Sequence, residues 1–447
     1  MHSSTWEKCS GSAAGCMRRL YHSFVYPSVR DLPSAGEPAR VRTSRWPRAA
    51  RNVWLLGLTS LFTDVSSEML TAVLPLYFML ELRLTPLQFG LIDGLYQGAS
   101  AVIRVAAGAF ADARGQYKRV AFIGYALSTL CRVGLLASKG WAGVTAFLMV
   151  DRLGKGIRTA PRDAIITLSS DRSRLGEAFG VHRTLDTVGA VVGPVIAFAV
   201  LAVSARAYDA VFVVSLAFSA IGLAIIGLFV EDRTPGAPAT LPAQRPRVRA
   251  VLSHTGFRRL LGAGLLVSAC TASDALIYLM LQRSGAVPAT VFPLLFVGTA
   301  TVYLVMAYPL GRLADRWGRS RLFLAGHLAI AAIYAVVGPV GLSGTAAVVT
   351  AIALLGLYYA ATDGVLAALA GGVLQTTELT TGLALVSTGV AVARLVAAAA
   401  FGASWSWFGQ QTTLTAFLLL TLLAVGLAAW LLGDRVEGSS TRSTSAS

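Results

Sequence analysis

Residues 108–115 read GAFADARG, and residues 311–318 read GRLADRWG. The two stretches share Gly-x-x-Ala-Asp-x-x-Gly. Each follows an apolar run of about 20 residues, the length that crosses a bilayer as a helix. A polar motif that returns after matching apolar runs marks a duplicated unit. Outward from these loops the chain divides into apolar runs at 53–80, 86–110, 119–138, 141–166, 178–204, 209–230, 257–281, 288–311, 321–341, 344–371, 380–402 and 410–433. They predict an all-α membrane protein with twelve transmembrane helices in two six-helix repeats. The expected layout is a disordered basic tail at 1–52, an N-terminal half at 53–230, a linker at 231–256, a C-terminal half at 257–433 and a C-terminal tail at 434–447.

Composition points the same way. Of 447 residues, 55% are hydrophobic and 13% are charged, against about 25% charged in soluble domains. Such a chain needs lipid as its solvent. The formal net charge is +16, but the basic residues collect in the links between apolar runs, which argues against nucleic acid as a partner. Arg114, Lys118, Arg119, Arg172, Arg174, Arg233, Arg245, Arg247, Arg249, Arg312, Arg316 and Arg319 lie on the side of the tails. The opposite links hold little beyond Arg83, Lys139, Arg206 and Arg283. Positive loops mark the cytoplasmic side, so both termini are expected in the cytoplasm of a cell-membrane protein. Cys9, Cys16, Cys131 and Cys270 lack metal or redox spacing. Gly154-Lys155-Gly156 lacks the spacing of a phosphate loop, and no nucleophile elbow or His-Glu-x-x-His occurs. No enzyme activity, metal or cofactor is expected.

Ionisable residues inside apolar runs are costly, and each is a functional candidate. Asp64 and Glu68 are four residues apart and share a helix face, roughly 16–23 Å into the first run. Mutual repulsion and loss of water favour taking up a proton there. The pair is therefore a candidate for proton coupling, with a structural polar knot involving Ser66 or Ser67 as the alternative. Arg132 and Arg394 have no acid close by in their own runs, which makes them candidates for substrate contact or for pairing with a distant acid. Asp274 and Asp363 are the corresponding candidates in the second half. Asp151 is expected to pair with Lys155 one turn on. Arg158, Arg162 and Asp163, near the cytoplasmic end of the fourth run, could form charge pairs with Asp112 that close the inside. Gly189, Gly193 and Pro194 predict close helix packing and a bend.

GAFADARGQYKR (108–119) resembles the loop signature of the major facilitator superfamily, and residues 311–321 resemble its second copy. RLGKGIRTA (152–160) resembles the family's fourth-helix signature. The run of Gly180, Gly189, Gly193 and Pro194 is similar to a fifth-helix signature associated with antiporters, although Ala197 and Phe198 stand where that signature ends in glycines. LFTDVSSEM (61–69) and DRLGKGIRTAPRDA (151–164) look like a prokaryotic branch with mostly unassigned substrates. The resemblance spans residues 53–433 and implies the major facilitator fold. It makes Arg152 a candidate for the proton pathway. It also implies a conformational gate of Gly108, Asp112, Arg114, Gly115, Asp315 and Arg316. The expected function is secondary active transport, in the specific form of proton-coupled efflux of a small organic molecule. The alternatives are import by symport or uniport, and a non-transporting sensor on the same fold. The expected partners are a small-molecule substrate, protons and the lipid bilayer, with the chain acting as a monomer.

Overall fold

Away from water a backbone amide has only its own helix to bond to, so apolar runs fold as helices. The computed structural model describes residues 50–171, 174–232, 248–363, 365–374 and 379–433, and all regular structure among them is helical. The first group comprises α1 (Arg51–Leu76, prolonged by a π turn at Tyr77–Glu81), α2 (Pro86–Arg114), α3 (Tyr117–Ala137), α4 (Trp141–Leu168), α5 (Leu175–Val203) and α6 (Tyr208–Leu228). The second group comprises α7 (Val248–Ser253), α8 (Thr255–Ser268), α9 (Asp274–Arg283), α10 (Pro293–Trp317), α11 (Arg319–Val337), α12 (Gly344–Thr362), α13 (Val365–Val373) and α14 (Leu379–Leu432). Seven of the described helices are long and apolar enough to cross a membrane. The tails at 1–49 and 434–447 and most of the linker, at 233–247, lie outside the described residues.

Local chemistry sets several boundaries. Thr85 caps α2: its hydroxyl accepts from the Gln88 amide, the Gln88 side chain accepts from the Thr85 amide, and Pro86 opens the first turn. The closing glycine of each repeated motif lies at positive φ, 61° at Gly115 and 96° at Gly318. A residue with a Cβ is strained there, so these glycines let the chain turn after α2 and α10. Asn52 ties three helix ends together, donating to Ser169 Oγ (3.2 Å) and the Glu231 carbonyl (3.1 Å) and accepting from the Glu231 amide. The start of α1 and the ends of α4 and α6 thus share one end of the bundle, called here the loop end.

The expected unbroken run at 257–281 is two helices. Residues 269–273 separate α8 from α9, and Ser273 caps the new helix through the Leu276 amide. The freed backbone groups are satisfied from neighbouring helices. The Tyr334 hydroxyl accepts from the Ala272 amide (2.7 Å) and donates to the Cys270 carbonyl, which Thr421 also reaches. An interior helix break survives only with such replacement partners. The run at 344–371 likewise divides, with α12 ending at Asp363. At 54 residues α14 would extend roughly 80 Å if straight, far beyond an apolar core of about 30 Å. It is interrupted at Gly409 (φ 81°, ψ 171°). The Ser404 and Thr413 hydroxyls lie 2.9 Å apart, where nine residues of straight helix would hold them roughly 13 Å apart. The chain folds back at that glycine.

Apolar packing is asymmetric along the bundle. Away from the loop end, one continuous cluster joins both groups, with Met69, Val73 and Phe78 of the first beside Tyr278, Phe292 and Phe401 of the second. At the loop end each group buries its own cluster, around Leu56, Tyr125 and Ile165 in the first and Phe257, Leu260 and Phe323 in the second. The two groups therefore meet at one end and keep separate cores at the other.

The closed end is held by near contact of backbones. Gly90 of α2 lies against the Ala398 carbonyl of α14, Gly402 against the Pro86 carbonyl, and Gly94 against Leu395. The Leu87 amide donates to Ser406 Oγ (2.9 Å). Gly90→Val and Gly402→Val force side-chain carbons into a carbonyl, at a cost of about 1–3 kcal/mol. We expect both to lower the melting temperature of the detergent-purified protein. Gly372→Ala, where a Cβ meets nothing within 4 Å, is expected not to lower it.

Candidate functional site

The interior charges fall into two classes, those fully matched and those left with free capacity. Asp151 of α4 belongs to the first. One of its oxygens takes Arg132 Nη1, and the other takes Arg152 at 2.7 and 3.2 Å. Arg132 has no exposed side-chain surface, and its remaining donors go to Ser66 Oγ (2.9 Å), Ser67 Oγ (3.0 Å) and the Ser128 carbonyl (2.6 Å). One expectation is corrected here: Asp151 is not the partner of Lys155. Arg132 takes the second of its two expected roles, pairing with a distant acid, and its guanidinium ties α3 to α1 and α4. Arg152, the candidate for the proton pathway, is nine-tenths buried, paired with Asp151 and stacked on Tyr96 at 4.1 Å.

Asp64 and Glu68 belong to the second class. Both project from α1 toward α4 and α5 and keep partial exposure. Small residues on α5 allow the approach: a Cβ on Gly189 would lie 3.2 Å from Asp64 Cβ, and one on Gly193 would lie 3.0 Å from Glu68 Cβ. The glycines singled out in the sequence thus pack directly behind the two acids, with Gly180 and Pro194 buried on the same helix. Asp64 faces Arg158 Nη2 at 3.9 Å and the Asp186 carboxyl of α5. Glu68 lies among Lys155, Asp64, Arg152 and Asp151, yet among the described residues it makes no hydrogen bond or ion pair.

In the second group Asp274, at the start of α9, accepts from the Tyr359 hydroxyl (2.7 Å). Arg394 of α14 donates to the Tyr358 hydroxyl (2.8 Å) and lies near Asp274, with its Nε buried and unbonded. Asp274 and Arg394 are thereby brought together with two tyrosines. Asp363 is not: it is exposed where α12 ends and accepts from Tyr303 (3.2 Å). Asp93 of α2 is absent from the sequence candidates, although a lone acid in an apolar run is the same signal that selects Asp64. It is buried near Ser273 and Asp274, with Oδ2 lacking any partner.

The gate candidates are only partly gathered. Arg158 is buried on Tyr125 (4.6 Å) and directed at Asp64, so it belongs with the interior acids and not with a loop gate. Arg162 pairs with its neighbour Asp163 (2.9 Å) and reaches Ser60 Oγ (3.1 Å). Arg114 is exposed over Phe110, and Arg316 is also exposed. Gly115 ends α2 as a left-handed cap. The side chains at Gly108, Asp112 and Asp315 lie outside the described residues.

A helical bundle with apolar outer faces and charges turned inward is built to sit in a membrane. The sequence profile of the Major Facilitator Superfamily matches residues 56–285 and 275–447, and the chain belongs to that family. Membership sets it among transporters and apart from enzymes. An uncharacterized MFS-type transporter of Methanocaldococcus jannaschii is 29% identical over 292 residues, covering 62% of this chain and 70% of the relative. An uncharacterized protein of Mycobacterium tuberculosis is 26% identical over 295 residues, covering 63% and 70%. Among solved structures, the nucleoside transporter NupG superposes with a TM-score of 0.73 at 12% identity, covering 86% of this chain and all of that one. A POT family transporter in complex with 5-aminolevulinic acid gives 0.71 at 14% identity, covering 86% and 96%. These likenesses establish the fold.

Removing one partner of a buried pair strands a charge, at a cost of about 3–5 kcal/mol. Asp151→Leu is therefore expected to lower the melting temperature of the purified protein sharply or to abolish its accumulation. Glu68→Gln breaks no bond among the described residues, and its stability is expected to stay within about 1 kcal/mol of the parent.

Proposed function

We propose that this chain is a secondary active transporter that exports a small organic molecule in exchange for protons. The observation that carries the reading is Glu68: an acid deep in α1 that has no partner among the described residues, beside Lys155, likewise unpaired among them, and an Asp64 that faces another carboxyl. Acids held in an apolar interior without a fixed counter-ion persist where they can exchange a proton. In this reading the chain has twelve spans in two six-helix halves with both tails cytoplasmic. The broken α8–α9, α10, α11, the divided α12–α13 and the two arms of α14 account for the six spans of the second half. The halves rock about a central site at the bilayer midplane. The meeting of the groups at one end, with separate cores at the loop end, fits one of the two states of such a cycle. Protonation shifts the balance of states through its different affinity in each. The direction of transport rests on Gly189, Gly193 and Pro194, whose close packing behind the acids suits a helix pair that must not leak. Asp274, Tyr359, Tyr358 and Arg394 supply the polar contacts of the second half to the cargo, which combine a carboxylate with a guanidinium.

The test uses purified protein in liposomes holding a pH-sensitive dye and challenged with a lipophilic cation such as ethidium and an anion such as carboxyfluorescein. An imposed pH gradient is expected to drive movement of at least one probe class against its own gradient. Asp64→Asn and Glu68→Gln are each expected to reduce that movement roughly tenfold or more. Flux indifferent to the pH gradient, or unchanged in both variants, contradicts proton coupling.

A further inference from the structure

Asp186 is no site candidate in the sequence, yet α5 brings its carboxyl to Asp64. The contact follows from helix register. Gly189 packs on the Leu61 carbonyl and on Asp64 Cβ, and Gly193 packs on the Val65 carbonyl and on Glu68 Cβ. The two helices therefore run in step, and the residue one turn before Gly189 and Ala190 falls beside Asp64. There the Asp64 and Asp186 carboxyls face each other across the α1–α5 seam. Two ionised carboxylates have only acceptors, so facing carboxyls can bond to each other only when one of them carries a proton. Like charges so close could not both persist in ionised form.

Each acid also has a guanidinium on its far side. Arg158 Nη2 lies 3.9 Å from Asp64, and Arg183 Nη1 lies 3.4 Å from Asp186. Neither distance is that of a closed charge-assisted hydrogen bond, which is about 2.7–2.9 Å. Arg158 Nη1 is buried without a hydrogen-bond partner among the described residues. The other groups facing the pair are Lys155 and Arg162 from α4, His182 from α5 and Glu68 from α1. Arg162 is already engaged by Asp163. Asp186 keeps 21% side-chain exposure and Arg183 keeps 74%, so the pair is not sealed within the protein.

We propose that the proton exchanged during transport is held in the Asp64–Asp186 hydrogen bond between α1 and α5. Its release leaves Asp64 to close on Arg158 and Asp186 to close on Arg183, which loosens the α1–α5 contact. One O–H bond breaks, the proton leaves to water past Asp186, and the extra negative charge is met by the two waiting guanidinium groups. The inference rests on proton-coupled transport as proposed above and names where the proton sits.

Infrared difference spectra of the detergent-purified protein, taken between mildly acidic and alkaline buffer, report protonated carboxyl groups through their C=O stretch. A band that disappears on alkalinisation is expected in the wild type. Isotope-labelled aspartate should shift a component of it, apart from any glutamate component contributed by Glu68, a readout that needs no variant to fold. Asp64→Asn and Asp186→Asn should each abolish the same component completely, the double variant should lose no more, and Glu68→Gln should keep it. Melting curves confirm that each variant is folded. Loss of different components that add in the double variant overturns the shared proton. A band that moves only with labelled glutamate and vanishes only in Glu68→Gln also overturns it, while leaving proton coupling intact. Absence of any titrating carboxyl band overturns both readings.

Discussion

A charge inside a membrane helix must be matched by an opposite charge or be able to disappear, and this constraint organises the interior of the molecule. Asp151 meets the first requirement. It receives Arg132 on one oxygen and Arg152 on the other, and the hydroxyls of Ser66 and Ser67 take further donors of Arg132. The result is a fixed strut through α1, α3 and α4. Asp64, Asp186 and Glu68 lie a short distance away on the same bundle and are not matched in this way. Two carboxyls that face each other, each with a guanidinium at 3.4–3.9 Å, stand beside Glu68, which makes no hydrogen bond or ion pair among the described residues.

Small residues make this arrangement possible. A single methyl on Gly189 or Gly193 would collide with α1 backbone at 2.6 or 2.7 Å, so only glycine lets α5 lie close enough to bring Asp186 to Asp64. Between the two groups of helices the same device works at Gly90, Gly94 and Gly402, where α2 and α14 touch through their backbones. Stiffness and yield are thus distributed unevenly: the Asp151 strut is rigid, while the glycine seams hold helices together by shape without locking them by charge. The break between α8 and α9, capped by Ser273 and repaired by Tyr334, adds a place where polar backbone reaches the interior.

Much of the architecture is legible in the sequence because its causes are local. Apolar runs of span length and the recurrence of Gly-x-x-Ala-Asp-x-x-Gly need no knowledge of distant contacts. The closing glycine of each motif proves to be the residue that permits a positive φ. The interior is less legible because its pairings are distant. Nothing near Arg132 in the chain announces that Asp151, 19 residues on, and Ser66, 66 residues back, consume its donors. Asp151 and Lys155 have the spacing of a helix pair, but two guanidinium groups outcompete one amine. The helix break at 269–273 is hidden because its stabilising hydroxyl comes from Tyr334, 62 residues away from Ala272. Asp93 and Asp186 are visible as acids in apolar runs, but only packing reveals which acids face each other.

The central claim is that the acids of α1 take up and release protons under ordinary conditions. Acid–base titration of the purified protein in unbuffered detergent solution, compared with the Asp64→Asn, Glu68→Gln double variant, tests it most directly. The wild type is predicted to release more protons than the variant as the solution moves from mildly acidic to mildly alkaline. Superimposable titration curves would contradict the account.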